Sequence, residues 1–292
     1  VLGCYYDLLA INCYERDWDV LLILDACRVD AMQQVAGEYK FLPKTIPSIT
    51  SVGDGSPTWM KNTFSPKWDN EIRNTTYITA NPHSERVLGE TMTGLHAEKG
   101  GPDDRLSEFG RLISLWGRYW SEDLETVPAR PITDHLVDLC RSHRTDRVIA
   151  HYMQPHFPSV PTRLGGGWIA EDEARWASHT VWDLVRDGVL SVDEAYDAYI
   201  DNLRYVLDEV ELVLSNVDAE TVVITADHGN AFGEWGIYAH GDSIGVNRKV
   251  PWVEVSATDS EAYTPNVDAL NREDDSADPD VEDKLRALGY KS

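Results

Sequence analysis

Two aspartates stand where apolar runs of the chain end. Asp25 follows the run 21–24, and Asp227 and His228 follow the run 222–225. In a parallel α/β sheet, ligands bind outside the carboxyl ends of the strands, so these three side chains are expected at one edge. Two carboxylates and an imidazole suit one divalent metal ion such as Mn, Mg, Ca or Zn. A single strand-end aspartate is more often a helix N-cap, but two with an adjacent histidine favour a metal site.

Three further histidines lie where the chain can return to the same edge. His151 and His156 lie in and just after a predicted strand at 147–152, and His240 lies 12 residues beyond His228. A histidine at such a position can donate a hydrogen bond to an anionic substrate oxygen or complete a metal site. His151 taken alone is better explained as a partly buried histidine with a satisfied hydrogen bond.

Alternating strands and helices must position these residues. Strands are predicted from apolar or extended stretches at 18–24, 45–50, 76–79, 147–152 and 221–225. Helices are predicted at 27–35, 106–119, 131–142 and 192–214. Ser56 as N-cap, followed by Pro57 at the first helical position, marks the start of another helix. This alternation indicates one α/β domain with a mostly parallel sheet.

The end of the chain differs in composition from the rest. Seven of the 13 residues at 271–283 are acidic, which is typical of a solvated linker. A short helix is predicted after it, at 284–290. We therefore expect a catalytic α/β domain over 1–270, and an acidic linker with a helix that packs back on the domain over 271–292.

The charge balance narrows the classes of partner. The 292 residues include 50 Asp or Glu against 26 Lys or Arg, for a formal net charge of −24. Such a surface repels phosphate backbones and anionic headgroups, so nucleic-acid binding is not expected. A hydrophobic fraction of 42% still provides a core. Arg outnumbers Lys by 18 to 8, and this bias with a large acidic excess is typical of the proteins of extreme halophiles, as in haloarchaea.

Cysteine spacing and the apolar runs bear on the cellular location. The four cysteines, Cys4, Cys13, Cys27 and Cys140, form no CxxC pair, so neither a zinc ribbon nor a disulfide framework is indicated. No basic, apolar leader opens the sequence, and no run approaches the roughly 18 apolar residues of a membrane helix. These observations predict a cytoplasmic location without an integral membrane segment. They leave the oligomeric state undetermined.

The residues that follow the predicted strand at 221–225 form a specific motif. The stretch 225–236 reads TADHGNAFGEWG and is followed by His240-Gly241 and a Val-Pro strand start at 250–251. It resembles the D-H-G block of the alkaline phosphatase and sulfatase superfamily. The opening LILDACRVD at 22–30 is similar to that family's first strand, and PHFP at 155–158 is similar to the P-H-x-P of its sulfatase-like branch.

The resemblance implies a three-layer α/β/α sandwich and a metal-dependent hydrolase of phosphate or sulfate esters. Asp25, Asp227 and His228 would be the metal ligands. Ser56 would be the nucleophile, with Ser48, Thr50 and Ser51 as nearby alternatives.

The resemblance also implies a substrate, namely a small anionic ester or a sulfated or phosphorylated glycan, and residues that bind it. His156 and His240 would contact the ester oxygens or protonate the leaving group. Arg28 and His151 would bind the anion, although a salt bridge explains Arg28 equally well.

The chain also departs from the family pattern. Sulfatases convert the Cys or Ser of a C/S-x-P-x-R motif, and this sequence has no such motif. An unmodified serine and phosphoester chemistry are therefore favoured over sulfate chemistry. Two alternatives stay open, namely a phosphoglycerol- or phosphoethanolamine-type transferase acting on glycans and an inactive binding protein with the same fold.

Overall fold

The structure of the protein is a computed structural model. It describes residues 2–84, 87–88, 111–142, 146–165 and 180–267. The acidic linker and closing helix predicted at 271–292 lie outside the described residues, and so do residues 106–110 of the helix predicted at 106–119.

Seven strands of the described residues form a central sheet. They are β1 (Val20–Leu24), β2 (Ser48–Thr50), β3 (Thr75–Thr79), β4 (Arg111–Ser114), β5 (Arg147–Tyr152), β6 (Ala219–Thr225) and β9 (Lys249–Ala257). Their order across the sheet is β2-β9-β6-β1-β5-β3-β4. The strands from β6 to β4 are parallel, whereas β9 runs antiparallel to β6 and β2. A separate hairpin pairs β7 (Ala231–Phe232) with β8 (Tyr238–Ala239).

Helices connect the strands. They are α1 (Leu2–Leu9), α2 (Val29–Val35), α3 (Ser56–Thr63), α4 (Asp69–Arg73), α5 (Trp116–Tyr119), α6 (Arg130–Arg141), α7 (Val181–Arg186), α8 (Val192–Leu214) and α9 (Gly245–Arg248). Short 3-10 turns occupy Cys13–Glu15, Pro66–Trp68 and Glu234–Gly236. In the described part of the chain, no helix combines the length and apolarity needed to cross a bilayer.

Apolar side chains cover both faces of the sheet. All five residues of β1 are buried, and alternate ones point to opposite faces: Leu22 and Leu24 join one apolar cluster, Leu21 and Ile23 the other. The first cluster includes buried residues of α2, α6 and α8. The second includes Trp59, Met60 and Ile72 of α3 and α4. This confirms the predicted three-layer α/β/α fold with a mostly parallel sheet.

Two local predictions differ from the structure. Gly55, in extended conformation, is the N-cap of α3, so Ser56 is the first helical residue rather than the cap. Residues 111–114, predicted as helix, form strand β4, because they pair in register with 76–79 of β3 at the sheet edge. The apolar residues of this short segment fit either period, and pairing with β3 decides the outcome.

The turn before α6 holds a half-buried carboxyl group. Burial, with a smaller contribution from the negative charge of Glu122, raises the pKa of Glu125 from 4.5 to about 7. Between these two values the folded protein binds more protons than the unfolded chain. Its stability therefore falls as the pH rises through that window.

We expect Glu125→Gln to stabilise the protein at pH 8 and to leave its stability unchanged at pH 4. The full shift corresponds to about 3 kcal/mol, and solvent screening of a half-buried group reduces this to roughly 1 kcal/mol. Urea unfolding at the two pH values measures the effect. Glu211→Gln, at an exposed position on α8, is the control, and an equal gain in both variants would contradict the assignment.

Candidate active site

Four adjacent parallel strands deliver the site at their carboxyl ends. Asp25 directly follows β1, Asp227 follows β6 after one residue, and Asn81 follows β3 after one residue. His151 lies in β5, opposite Ile23 of β1. The side chains of Asp25, Asp227, Asn81 and His151 are fully buried. Sheet order therefore brings together residues from four distant parts of the chain, as expected for the carboxyl edge of a parallel sheet.

Ser56 places its hydroxyl group among these side chains. Its Oγ lies 2.7 Å from Asp227 Oδ2, 3.3 Å from Asp25 Oδ2 and 3.3 Å from His228 Nε2. An ionised carboxylate can only accept hydrogen bonds, so the Ser56 hydroxyl donates to one of the two aspartates. As the first residue of α3, Ser56 also lies beside the unpaired backbone N–H groups of a helix N-terminus, which favour negative charge.

The alternative hydroxyl groups lie elsewhere. Ser51 Oγ donates to the backbone carbonyl of Asp227 and accepts from the backbone N–H of Gly53. Ser48 is exposed and Thr50 is half-buried in β2. Of the four candidates, Ser56 is the one whose Oγ lies within 3.3 Å of both carboxylates.

His228 completes this group. Its Nε2 lies 3.4 Å from Asp25 Oδ1 and 3.4 Å from Asp227 Oδ2. Its Nδ1 lies 2.7 Å from the backbone carbonyl of Gly229, which can only accept. Nδ1 therefore carries a hydrogen, and Nε2 is the nitrogen that faces the carboxylates.

Gly229 explains the third residue of the D-H-G motif. A Cβ atom there would lie 1.9 Å from the backbone oxygen of Val246 in α9, far inside contact distance. The Gly229 N–H also donates to the backbone carbonyl of Asn247 at 2.9 Å. The absence of a side chain thus lets α9 pack directly behind the site.

His151, expected to bind substrate, lies beside the carboxylates instead. Its Nε2 is 3.7 Å from Asp25 Oδ2 and 3.6 Å from Asp227 Oδ2. One atom from each of these three residues lies within 4.8 Å of the others, a spacing that could hold a metal ion. Burial alone would lower the pKa of His151, but Tyr77 and the neighbouring carboxylates of Asp227 and Asp25 raise it well above its usual value.

His156 and His240 form a second layer. Their Nε2 atoms are 3.0 Å apart, and the rings of His240 and His228 are 4.5 Å apart between centroids. Burial is the main cause that lowers the pKa of His156, and burial and the neighbouring histidines lower that of His240 still further. His156 Nδ1 faces the carbonyl of Phe157, so His240 is the Nε2–H donor of the neutral pair.

The loop that carries His156 is held by one residue of α8. Asn202, which is fully buried, donates from Nδ2 to the carbonyls of Pro155, His156 and Pro158 at 3.0–3.2 Å. Its Oδ1 accepts from the backbone N–H of Val160 at 3.1 Å. The longest helix thus fixes the position of the histidine.

Arg28 does not join the site. Its guanidinium group forms ion pairs of 2.6 Å with both Asp30 and Glu234, and it donates to the carbonyl of Asn230 at 2.9 Å. Every guanidinium nitrogen has a partner. Arg28 instead fastens the segment from Asn230 to Glu234, which leads through β8 to His240.

Asn81 is a site residue that sequence reasoning missed. Its Nδ2 donates to Asp25 Oδ2 at 2.9 Å, and so orients that carboxylate. Asn81 follows the predicted strand 76–79, so the strand-end rule that identified the aspartates would also have identified it.

The chemistry of the donor set fits a divalent cation. Two carboxylates at 0% exposure, with imidazole nitrogens facing them, are costly to bury without compensating charge. Burial alone would raise the pKa of Asp227, but His228, His151 and the hydrogen bond from Ser56 hold it below its usual range. Asp227 is thus placed as an anionic oxygen ligand beside the Asp25 carboxyl group, and a mixed oxygen and nitrogen set suits Zn²⁺ or Mn²⁺.

No family model and no curated protein matches the chain. Among solved structures, it is similar to the soluble domain of lipooligosaccharide phosphoethanolamine transferase A from Neisseria meningitidis, with a TM-score of 0.52 at 12% identity over 80% of this chain and 75% of that one. The C-terminal periplasmic domain of phosphoethanolamine transferase EptC from Campylobacter jejuni matches with a TM-score of 0.42 at 17% identity, over 81% and 78% of the two chains.

The corresponding domain of EptC from Escherichia coli, in complex with Zn, matches with a TM-score of 0.41 at 13% identity, over 83% of this chain and 73% of that one. These neighbours are members of the alkaline phosphatase superfamily. At such low identity the likeness establishes the fold alone. The sulfatase-like branch and the salt-adapted origin stay predictions.

The predicted cytoplasmic location is contradicted by these neighbours, two of which are periplasmic domains. The cysteines do not oppose this correction, because burial raises the pKa of the Cys13 and Cys140 thiols to about 12 and so suppresses the reactive thiolate. Buried, unreactive thiols persist in an oxidising compartment as well as in a reducing one.

We expect Asn202→Ala to destabilise the protein by about 2–3 kcal/mol, because three buried carbonyls lose their donor. Urea unfolding measures the change. Asn62→Ala provides the matched control, since the exposed Asn62 side chain makes a single bond to the carbonyl of Val52. An Asn202→Ala variant as stable as this control would show that the His156 loop holds its position without α8.

Proposed function

We propose that the protein is a metal-dependent phosphoryl-transfer enzyme that uses Ser56 as nucleophile, and that it transfers a phosphoethanolamine-type group to an acceptor alcohol. The observation that carries this proposal is the position of Ser56 Oγ, 2.7 Å from Asp227 Oδ2 and 3.3 Å from His228 Nε2 in a buried cluster. A serine at a helix N-terminus beside anionic ligands is suited to covalent catalysis on an anionic ester.

In this proposal, Asp25, Asp227 and His228 hold the divalent ion, and His151 supplies a further nitrogen. When bound, such an ion lowers the pKa of a neighbouring hydroxyl and stabilises negative charge on the transferred group. Asn81 keeps one carboxylate oxygen of Asp25 in place through its 2.9 Å hydrogen bond.

The covalent step then follows from the positions of the side chains. Ser56 Oγ forms a bond to phosphorus, the bond from phosphorus to the leaving oxygen breaks, and the serine proton departs with the leaving group. On substrate binding, the Nε2–H of His240 donates to the ester oxygen in place of His156 Nε2. In the second half, an acceptor hydroxyl attacks phosphorus, the bond from phosphorus to Ser56 Oγ breaks, and the acceptor's proton passes through this pair to Ser56 Oγ.

The names of the structural neighbours favour transfer over hydrolysis. The neighbours from Neisseria meningitidis and Campylobacter jejuni are named phosphoethanolamine transferases. The acceptor class is an alcohol of a glycan or of a lipid headgroup, and the working location is extracytoplasmic. In this proposal the catalytic domain is 1–270, as the sequence predicts.

We expect Ser56→Ala to lower the rate of release of 4-nitrophenol from 4-nitrophenyl phosphoethanolamine by at least about 10³-fold, because the covalent path is lost. The assay is run in high salt with Mn²⁺ or Zn²⁺ added. Ser48→Ala, at an exposed hydroxyl outside the cluster, serves as control and should retain the wild-type rate. Full activity of Ser56→Ala would remove the serine from the mechanism.

Transfer and hydrolysis differ in the fate of the covalent intermediate. Incubation with the same ester, without acceptor, should leave a phosphoethanolamine adduct on Ser56, detected by intact-protein and peptide mass spectrometry. A glycan acceptor should discharge the adduct and carry the phosphoethanolamine group in the product. Rapid discharge to water whether or not acceptor is present would instead establish a hydrolase.

A further inference from the structure

We propose that Tyr77 is a positioning residue for the metal centre: its hydroxyl accepts the Nδ1–H of His151 and thereby directs the His151 Nε2 lone pair at the ion held by Asp25 and Asp227. The observation is the 2.8 Å distance between Tyr77 Oη and His151 Nδ1, with both side chains fully buried. The inference rests on the proposed function only in requiring that the site binds a divalent cation.

Two other histidines of the site show what is unusual about His151. The Nδ1 atoms of His228 and His156 face backbone carbonyls of the residues that follow them, and a carbonyl can only accept. The backbone thus fixes which nitrogen carries the hydrogen. His151, inside strand β5, faces a hydroxyl group instead, and a hydroxyl can either donate or accept.

The surroundings of His151 settle the direction of this hydrogen bond. Its Nε2 faces carboxylate oxygens of Asp25 and Asp227 at 3.7 and 3.6 Å, so this nitrogen carries either a proton or a cation. In the metal-bound state Nε2 gives up its proton, and a neutral imidazole then keeps its single hydrogen on Nδ1. Tyr77 must therefore accept.

The strand that carries Tyr77 also leads to the carboxylate side of the centre. Thr79 lies two residues along the same face of β3. Thr79 Oγ1 accepts the backbone N–H of Asn81 at 3.0 Å, and Asn81 in turn donates to Asp25. One strand thus orients both a histidine and a carboxylate of the same centre.

Packing keeps the pair in this arrangement. The Tyr77 ring lies 5.0 Å from that of Phe64, and Trp59 meets the His151 ring edge-on at 5.6 Å between centroids. Removal of the Tyr77 hydroxyl would leave His151 Nδ1 facing an apolar wall. The imidazole would then lose the partner that makes Nε2 its electron-pair donor.

The test is Tyr77→Phe, which keeps the ring and removes only the hydroxyl. Binding of Mn²⁺ and Zn²⁺ to the full chain is measured by calorimetry, and we expect affinity to fall about 10–100-fold. Tyr152→Phe is the matched control, because Tyr152 of β5 is also fully buried. Its side chain belongs to the apolar cluster on the other face of the sheet, where its hydroxyl lies 3.1 Å from that of Thr133. This control should bind metal as the wild type does.

A spectroscopic readout separates positioning from a loss of packing. In ¹⁵N-histidine NMR spectra of the metal-loaded wild type, His151 should show a protonated Nδ1 and a metal-bound Nε2. A metal-bound Nδ1 would overturn the inference, and so would unchanged metal affinity of Tyr77→Phe. Equal losses of affinity in Tyr77→Phe and Tyr152→Phe would also overturn it. A wild type that binds no divalent ion would overturn the proposed function together with it, so the two failures are distinguishable.

Discussion

The burial of two carboxylates side by side is the constraint on which the rest of the structure depends. Asp25 and Asp227 end neighbouring parallel strands, and both share the hydroxyl group of Ser56. In a medium of low dielectric constant, two such charges repel each other strongly unless hydrogen bonds, histidines or a cation compensate them. Several elements of the fold supply groups that compensate these charges, and other residues hold each of those groups in position.

Those supports account for features that lie outside the chemistry. Asn202 fastens the His156 loop to α8, Arg28 and Glu234 fasten the segment that leads to His240, and Gly229 admits α9 behind the site. None of these residues touches the place where an ester would react. Each removes freedom from a side chain that does, which is how a site with several ionisable groups keeps one arrangement.

The sequence predicts the centre of the site better than its surroundings, for a physical reason. Apolar runs that end in Asp25 and Asp227 mark strand ends locally, and parallel pairing then brings those ends together. Ser56 was placed by the Ser-Pro helix start, although Gly55 proves to be the cap. The role of Arg28 depends on Glu234, 206 positions away, and that of Tyr77 depends on the register between β3 and β5. No local pattern encodes such contacts. For the same reason, the local sequence of β4 predicts a helix, and only pairing with β3 makes it a strand.

The acidity of the whole chain opposes the approach of an anionic substrate to the site. A net charge of −24 repels an anionic ester at long range. At short range, the divalent ion of the proposed function, the N-terminus of α3 and the His156–His240 pair would offset this repulsion. Molar salt shortens the Debye length to about 3 Å, so it would screen the outer repulsion while leaving the buried interactions nearly intact. A highly charged surface is thus compatible with chemistry on an anionic ester, provided that the reacting group is desolvated inside the site.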